Sequence, residues 1–250
     1  MSGHSKWSSI KRQKGVNDAK RGAVFTKMGK EISVAARAGG PDPEGNYRLR
    51  LAIDKARAVN MPAENIKRAI ERATGGDKAV EFEEILYEGY GPGGVAILVE
   101  TATDNRNRTA ADVRSLFAKS GGQLAGTGSV AWQFEPRGVV SVDLGGSAAD
   151  DIALLAIDAG ALDVDTDSDP LEVTTSPGDL EVVRTALEAA GLRIESAELT
   201  MQAKSPVEVD LDRARQNLRL IEALEDNDDV QRVTANFELP DEIMAEAAAS

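Results

Sequence analysis

There is no cysteine in this chain of 250 residues, and only one histidine. The first absence excludes disulfides, thiolate metal sites and cysteine nucleophiles, and it suits a reducing cytoplasm. The second disfavours a catalytic triad, because the one histidine, His4, lies in the polar, basic N-terminal segment. A lone histidine with no neighbouring carboxylate is also a poor metal ligand. Aromatics make up 4% of the chain, so its cores must be built mainly from Ala, Val, Leu and Ile. No apolar run approaches a membrane span. The opening residues lack the apolar stretch and cleavage site of a signal peptide. A phosphate loop is missing too: Gly89-Tyr-Gly-Pro-Gly-Gly94 has no Lys-Ser/Thr and reads as a hairpin turn. The expectation is a cytoplasmic protein with no enzymatic activity, no cofactor and no metal site.

What is present is charge, unevenly shared. Residues 1–78 hold 17 Lys and Arg against 8 Asp and Glu, a net +9. Residues 79–250 hold 12 against 34, a net −22. A basic module attracts polyanions, while an acidic body repels them. A nucleic acid gripped from one end is the first hypothesis.

Periodicity divides the chain further. Residues 1–15 read as a polar, basic arm. Val24, Met28, Ile32 and Ala35 recur at helical spacing and predict a helix from Asn17 to Ala38, stopped by Gly39-Gly40-Pro41. Second and third helices fit Asn46–Val59 and the stretch from Pro62 to Gly75. Phe82–Tyr90 and Val95–Thr103 read as strands, Thr109–Lys119 as a helix and Ser129–Phe134 as another strand. Residues 138–200 then run β-α-β-β-α-β, the order of a ferredoxin-like unit. A helix at Leu211–Leu224 and a strand at Val230–Phe237 complete the interrupted pattern. The expected fold class is α+β in three domains. Residues 1–78 form a basic helical bundle with its arm. Residues 79–135 plus 206–240 form a discontinuous α/β domain. Residues 136–205 form an acidic ferredoxin-like domain inserted within it, and both sheets are antiparallel.

Two constellations carry the functional expectation. Lys6, Lys11, Arg12, Lys14, Lys20 and Arg21 lie within sixteen residues, with Trp7 among them. Such cations neutralise phosphates and release counterions without reading sequence. Trp7 either stacks on an unpaired base or anchors the arm, and His4 suits hydrogen bonding or phosphate contact. Lys27 and Lys30 extend the basic stripe along the first helix. The second constellation is Thr103-Asp-Asn-Arg-Asn-Arg-Thr109, between a strand end and a helix start. Helix N-termini favour anions, and Arg106 and Arg108 add guanidinium groups beside Asn105. The competing reading has Thr103 or Asp104 capping the helix and the arginines paired with carboxylates. Two Arg and two Asn in one turn exceed what capping requires.

The acidic tract at 147–181 contains ten Asp and Glu and no Lys or Arg. Its calcium-loop likeness fails on register, because from Asp163 position six is Ser168 and position twelve is Thr174. A solvated face is expected there, with a docking surface for a basic protein as the alternative.

Several stretches closely resemble the YebC/PmpR family: Gly3-His-Ser-Lys-Trp7, Asp18-Ala-Lys-Arg-Gly22, Phe25-Thr-Lys27, Tyr87-Glu-Gly-Tyr-Gly91, Thr103-Asp-Asn-Arg-Asn-Arg108 and Gly128-Ser-Val-Ala131. The resemblance spans almost the whole chain. It implies a helical N-terminal domain and two α/β domains, one set into the other. Members are commonly described as DNA-binding transcriptional regulators. The related mitochondrial protein activates translation of cytochrome oxidase, and bacterial relatives have been tied to ribosomes stalled on proline-rich sequences. The resemblance marks His4, Lys6, Trp7, Asp18, Lys20, Arg21, Asn105, Arg106 and Arg108 as motif positions. Trp132 stands where many relatives are expected to carry a smaller aromatic. The resulting expectation is a DNA-binding transcriptional regulator, monomeric or weakly self-associating. A ribosome-associated factor binding rRNA or tRNA is the alternative, and a protein-docking module the next.

Overall fold

A computed structural model describes residues 18–75, 81–240 and 242–243, the side chains of residues 18–20 excepted. The described residues form seven α-helices and two antiparallel four-stranded sheets, an α+β fold. Two compact units result. The first takes residues up to 56, then 61–135 and those from 203 onward; the second takes 136–202 with the short segment 57–60.

The first unit begins with three helices. Helix α1 (Asp18–Gly39) packs along α3 (Ala63–Thr74), and α2 (Tyr47–Ala58) buries Leu49, Ala52, Ile53 and Ala56. Asn46 closes the α1–α2 corner. Its Oδ1 accepts from the Leu49 N–H at 3.0 Å, and its Nδ2 donates to the carbonyls of Ala35 (2.7 Å) and Gly40 (2.8 Å). One buried side chain thus satisfies an end of each helix.

The first sheet follows. Strand β1 (Glu83–Tyr90) pairs along its length with β2 (Ala96–Thr103), with Glu83 opposite Thr103 and Tyr90 opposite Ala96. Strands β3 (Gln123–Leu124) and β8 (Val230–Ala235) complete the order β3-β1-β2-β8. Ile97 and Val99 of β2 join Val113 and Phe117 of α4 (Arg106–Lys119) and Leu218, Ile221 and Leu224 of α7 (Leu211–Glu225) in one core. Ala96, Leu98 and Ala102 point the other way and are equally buried, and α1 packs over β2. A strand covered on both faces reads as a near-continuous apolar run, as β2 does.

The Tyr87-Glu-Gly-Tyr-Gly91 motif is fitted to this packing. A Cβ at Gly89 would lie 2.5 Å from the Phe117 ring, and one at Gly91 would lie 2.0 Å from Asn217 Oδ1. Both glycines permit a close approach that any side chain would block.

One expected strand is absent. Ser129–Phe134 is a turn followed by a short 3-10 helix at Ala131–Gln133, and the third strand of this sheet is Gln123–Leu124 instead. The reason is Glu88, which is 2% exposed. Its carboxylate accepts from the N–H groups of Gly128 (2.6 Å), Val130 (2.7 Å) and Ala131 (2.8 Å). Amides held by a side chain cannot also form a ladder.

The second unit contains strands β4 (Phe134–Asp143), β5 (Asp163–Asp165), β6 (Leu171–Thr175) and β7 (Arg193–Ala203) in the order β5-β6-β4-β7. With α5 (Ala149–Asp158) and α6 (Leu180–Ala189) between them, this is the ferredoxin-like arrangement. Val140, Val142, Leu171, Val173, Ile152, Leu180, Val183 and Leu187 form its core. Asp150, Asp151, Asp158, Asp163 and Asp167 are exposed, as a solvated acidic face requires, whereas Glu172 is buried.

Candidate nucleic-acid interface

At the end of β2 the chain turns directly into α4. Asn105 caps this helix from an extended backbone conformation, its Oδ1 accepting from the Arg108 N–H at 3.1 Å. The cap is therefore Asn105 rather than Thr103 or Asp104. Thr103 supports it, its hydroxyl oxygen accepting from the Asn105 N–H at 2.9 Å. Arg106 and Arg108 consequently stand in the first helical turn, not in a loop before it.

The turn is organised around a residue that the sequence did not single out. Asp229, 4% exposed, sits just before β8. Its backbone carbonyl accepts from the Ala102 N–H at 2.8 Å, fixing it beside the end of β2. Its Oδ1 accepts from Lys30 Nζ at 2.5 Å. Its Oδ2 accepts from an Arg108 guanidinium nitrogen at 2.7 Å and lies 2.7 Å from the Thr109 hydroxyl and 3.2 Å from that of Thr103. The two hydroxyls are 2.8 Å apart and carry one proton each. The consistent arrangement has Thr109 donating to Asp229 and Thr103 donating to Thr109. Burial alone would raise the Asp229 pKa. Hydrogen bonds from Lys30, Thr109 and Arg108, with the Lys30 charge, outweigh it and hold the carboxyl at about 2.

Lys27 and Lys30, expected on the basic stripe, each have a partner inside the first unit. Lys30 is 9% exposed and also donates to the Asp228 carbonyl at 2.9 Å. Lys27 donates to the Glu225 carbonyl, and burial lowers its pKa against the opposing pull of Glu225, Asp228 and Asp226. A helical wheel places both lysines beside the apolar face of α1. The helix is covered on that flank as well, so they are partly enclosed. Two further cations of this region meet carboxylates: Arg37 bonds to Glu81, and Arg48 forms a two-pronged pair with Glu84. Much of the basic helical layer is thus matched to acidic residues within the first unit.

Arg106 is different. Its side chain is 68% exposed, with one contact of 3.3 Å to the half-exposed Glu83. Arg108 is half-exposed but committed, since it also pairs with Asp104 at 2.8 Å. The turn therefore brings together Lys30, Asn105, Arg106 and Arg108, but carboxylates largely balance their charge. Arg21 is exposed on α1. The backbone of Lys20 is helical, and its side chain lies outside the described residues, as do His4, Lys6, Trp7, Lys11, Arg12 and Lys14 entirely. Among the described residues no cluster of three or more His, Asp or Glu could hold a metal ion. No described helix is long and apolar enough to cross a membrane.

Comparison with known proteins adds a second line. Residues 5–76 match the TACO1/YebC protein N-terminal domain, and residues 82–237 match the TACO1/YebC second and third domain. A "probable transcriptional regulatory protein" of Rubrobacter xylanophilus is 55% identical over 249 residues, covering 99% of this chain and 100% of that protein. One from Pelotomaculum thermopropionicum is 52% identical over 243 residues, covering 96% and 100%. The crystal structure of a conserved hypothetical protein from Aquifex aeolicus is similar, with a TM-score of 0.83 at 45% identity. That match covers 89% of this chain and 92% of the Aquifex chain.

Proposed function

This chain belongs to the TACO1/YebC family, and on that footing we propose that it regulates transcription by binding DNA through the phosphate backbone. Residues 4–21 supply the main grip, and Arg106 supplies a secondary contact. The observation that carries this reading is the density of cations in residues 4–21. Lys27, Lys30, Arg37 and Arg48 have partners within the first unit. Residues 4–21 hold six Lys and Arg against one acidic residue, Asp18. A dense cationic segment with so little internal counter-charge is suited to a polyanion. Such contacts position a protein on a duplex without specifying sequence.

The test is binding to promoter and random duplex DNA across a salt series, in parallel with co-sedimentation with ribosomes. Four to six phosphate contacts give a slope of log affinity against log salt of roughly −4 to −5. A flat salt response ends this reading. Sedimentation with ribosomes without duplex binding transfers the grip to structured RNA.

A further inference from the structure

We infer that Trp132 is a stacking platform for an unpaired nucleobase, built from residues other than those of the grip proposed above. The inference rests on the nucleic-acid reading above and assigns it a second mode of contact. Trp132 is 67% exposed, although a tryptophan is among the most favourable side chains to bury. Its orientation is nevertheless fixed. The indole N–H donates to the Ser129 carbonyl at 3.1 Å, and that carbonyl also accepts from the Tyr90 hydroxyl at 3.0 Å. The one polar atom of the ring is thus satisfied internally, which leaves the ring to offer contact rather than hydrogen bonds.

The support beneath it is equally constrained. The three N–H groups held by Glu88 fix the turn from Gly128 to Ala131. On the far side, the Lys204 N–H donates to the Gln133 carbonyl at 2.9 Å, and Asn236 Nδ2 donates to Gln133 Oε1 at 2.9 Å. A preorganised aromatic loses little freedom on stacking, so more of the contact appears as affinity.

Charge chooses the ligand. Residues 79–250 carry 34 acidic residues, yet 113–134 contain Arg114 and Lys119 and none, Glu135 being the first carboxylate after the ring. Residues 203–207 contain Lys204 and none. Lys204 Nζ donates to the Trp132 carbonyl at 2.9 Å, which brings an ammonium beside the platform. The nearby Glu88 carboxylate is enclosed and saturated by main-chain donors. A rigid exposed ring with a lysine ammonium bonded to its own main-chain carbonyl matches a base and its phosphate. Every base has a π face, so the chemistry is shared by single-stranded DNA and RNA.

The test uses the full chain, with labelled dT and rU oligonucleotides and a duplex of equal length. Removing one stacked base contact costs roughly 5- to 150-fold in affinity. Trp132→Ala should lower single-strand affinity by that factor, lower duplex affinity by less than about twofold, and leave the melting temperature nearly unchanged. Trp132→Phe should recover part of the loss. In the Trp7→Phe background, where Trp132 is the remaining tryptophan, single strands should quench its emission saturably. Preference for dT or rU names the source. Unchanged single-strand affinity in Trp132→Ala, with duplex binding intact, overturns this site alone. Equal loss for single strand and duplex also overturns it. Absence of binding to every probe by the wild-type chain overturns the nucleic-acid reading itself.

Discussion

Among the described residues of the first unit two carboxylates are buried, and they are held in different ways. Asp229 is held by side chains from distant parts of the sequence: Lys30 from α1, and Arg108 and Thr109 from α4. Glu88 is held by the main-chain N–H groups of one turn. In both, burial pushes the pKa up and the donors more than offset it. The difference lies in what each leaves behind when removed. Asp229 balances another buried charge and ties the helical layer to the sheet. Glu88 has no such partner, and its loss strands only amides.

Removing the Asp229 charge should have the largest effect. Asp229→Asn keeps the shape but leaves Lys30 enclosed without its counterion, a loss of about 3–5 kcal/mol in unfolding free energy. Lys30→Met should cost less, because Asp229 keeps Arg108 and Thr109. Equal losses in urea titrations would mean that Asp229 is not balancing the lysine. The same group sets an acid limb. Its folded pKa is about 2 against an ordinary 3.8, so its contribution is complete above about pH 4 and disappears as pH falls toward 2. That contribution is about 2 kcal/mol. Asp229→Asn should flatten this part of the stability profile.

Glu88→Gln should cost less and act locally. Two carboxylate oxygens accept three N–H groups, and an amide must turn a donor toward at least one of them. A loss of about 1–3 kcal/mol follows. Faster hydrogen exchange should be confined to residues 128–131, with Trp132 emission altered in the Trp7→Phe background. A loss as large as that of Asp229→Asn, with exchange spread into α1, would erase the distinction between the two carboxylates.

The same distinction explains what the sequence disclosed. Helices and most strands were legible because their apolar residues keep a period, as in α2 with Leu49, Ala52, Ile53 and Ala56. The ferredoxin-like order of the second unit followed from the succession of elements. Ser129–Phe134 resembled a strand because its residues suit one. What prevents it is Glu88, some forty residues earlier, and no local pattern encodes that capture. Asp229 was equally hidden, since Asp226-Asn-Asp-Asp229 after a helix looks like an ordinary solvated turn. The Thr103–Thr109 turn was legible as holding more polar groups than a cap needs. Much of that surplus serves Asp229, through Arg108, Thr103 and Thr109, while Arg106 stands largely clear of it.

Arg106 therefore marks the boundary between internal balance and external contact, and it carries the smallest expected effect on stability. An exposed pair such as Arg106–Glu83 contributes little, so Arg106→Ala should change unfolding free energy by less than about 0.5 kcal/mol. Arg108→Ala should destabilise visibly, because it withdraws a charge-assisted bond from Asp229. If Arg106 touches phosphate, its removal should weaken duplex binding about equally across sequences and make the salt slope less negative by about 1. An unchanged slope with unchanged affinity would leave Arg106 as nothing more than the surface partner of Glu83. The grip would then lie wholly within residues 4–21, and the acidic body would contribute to duplex binding only by excluding it.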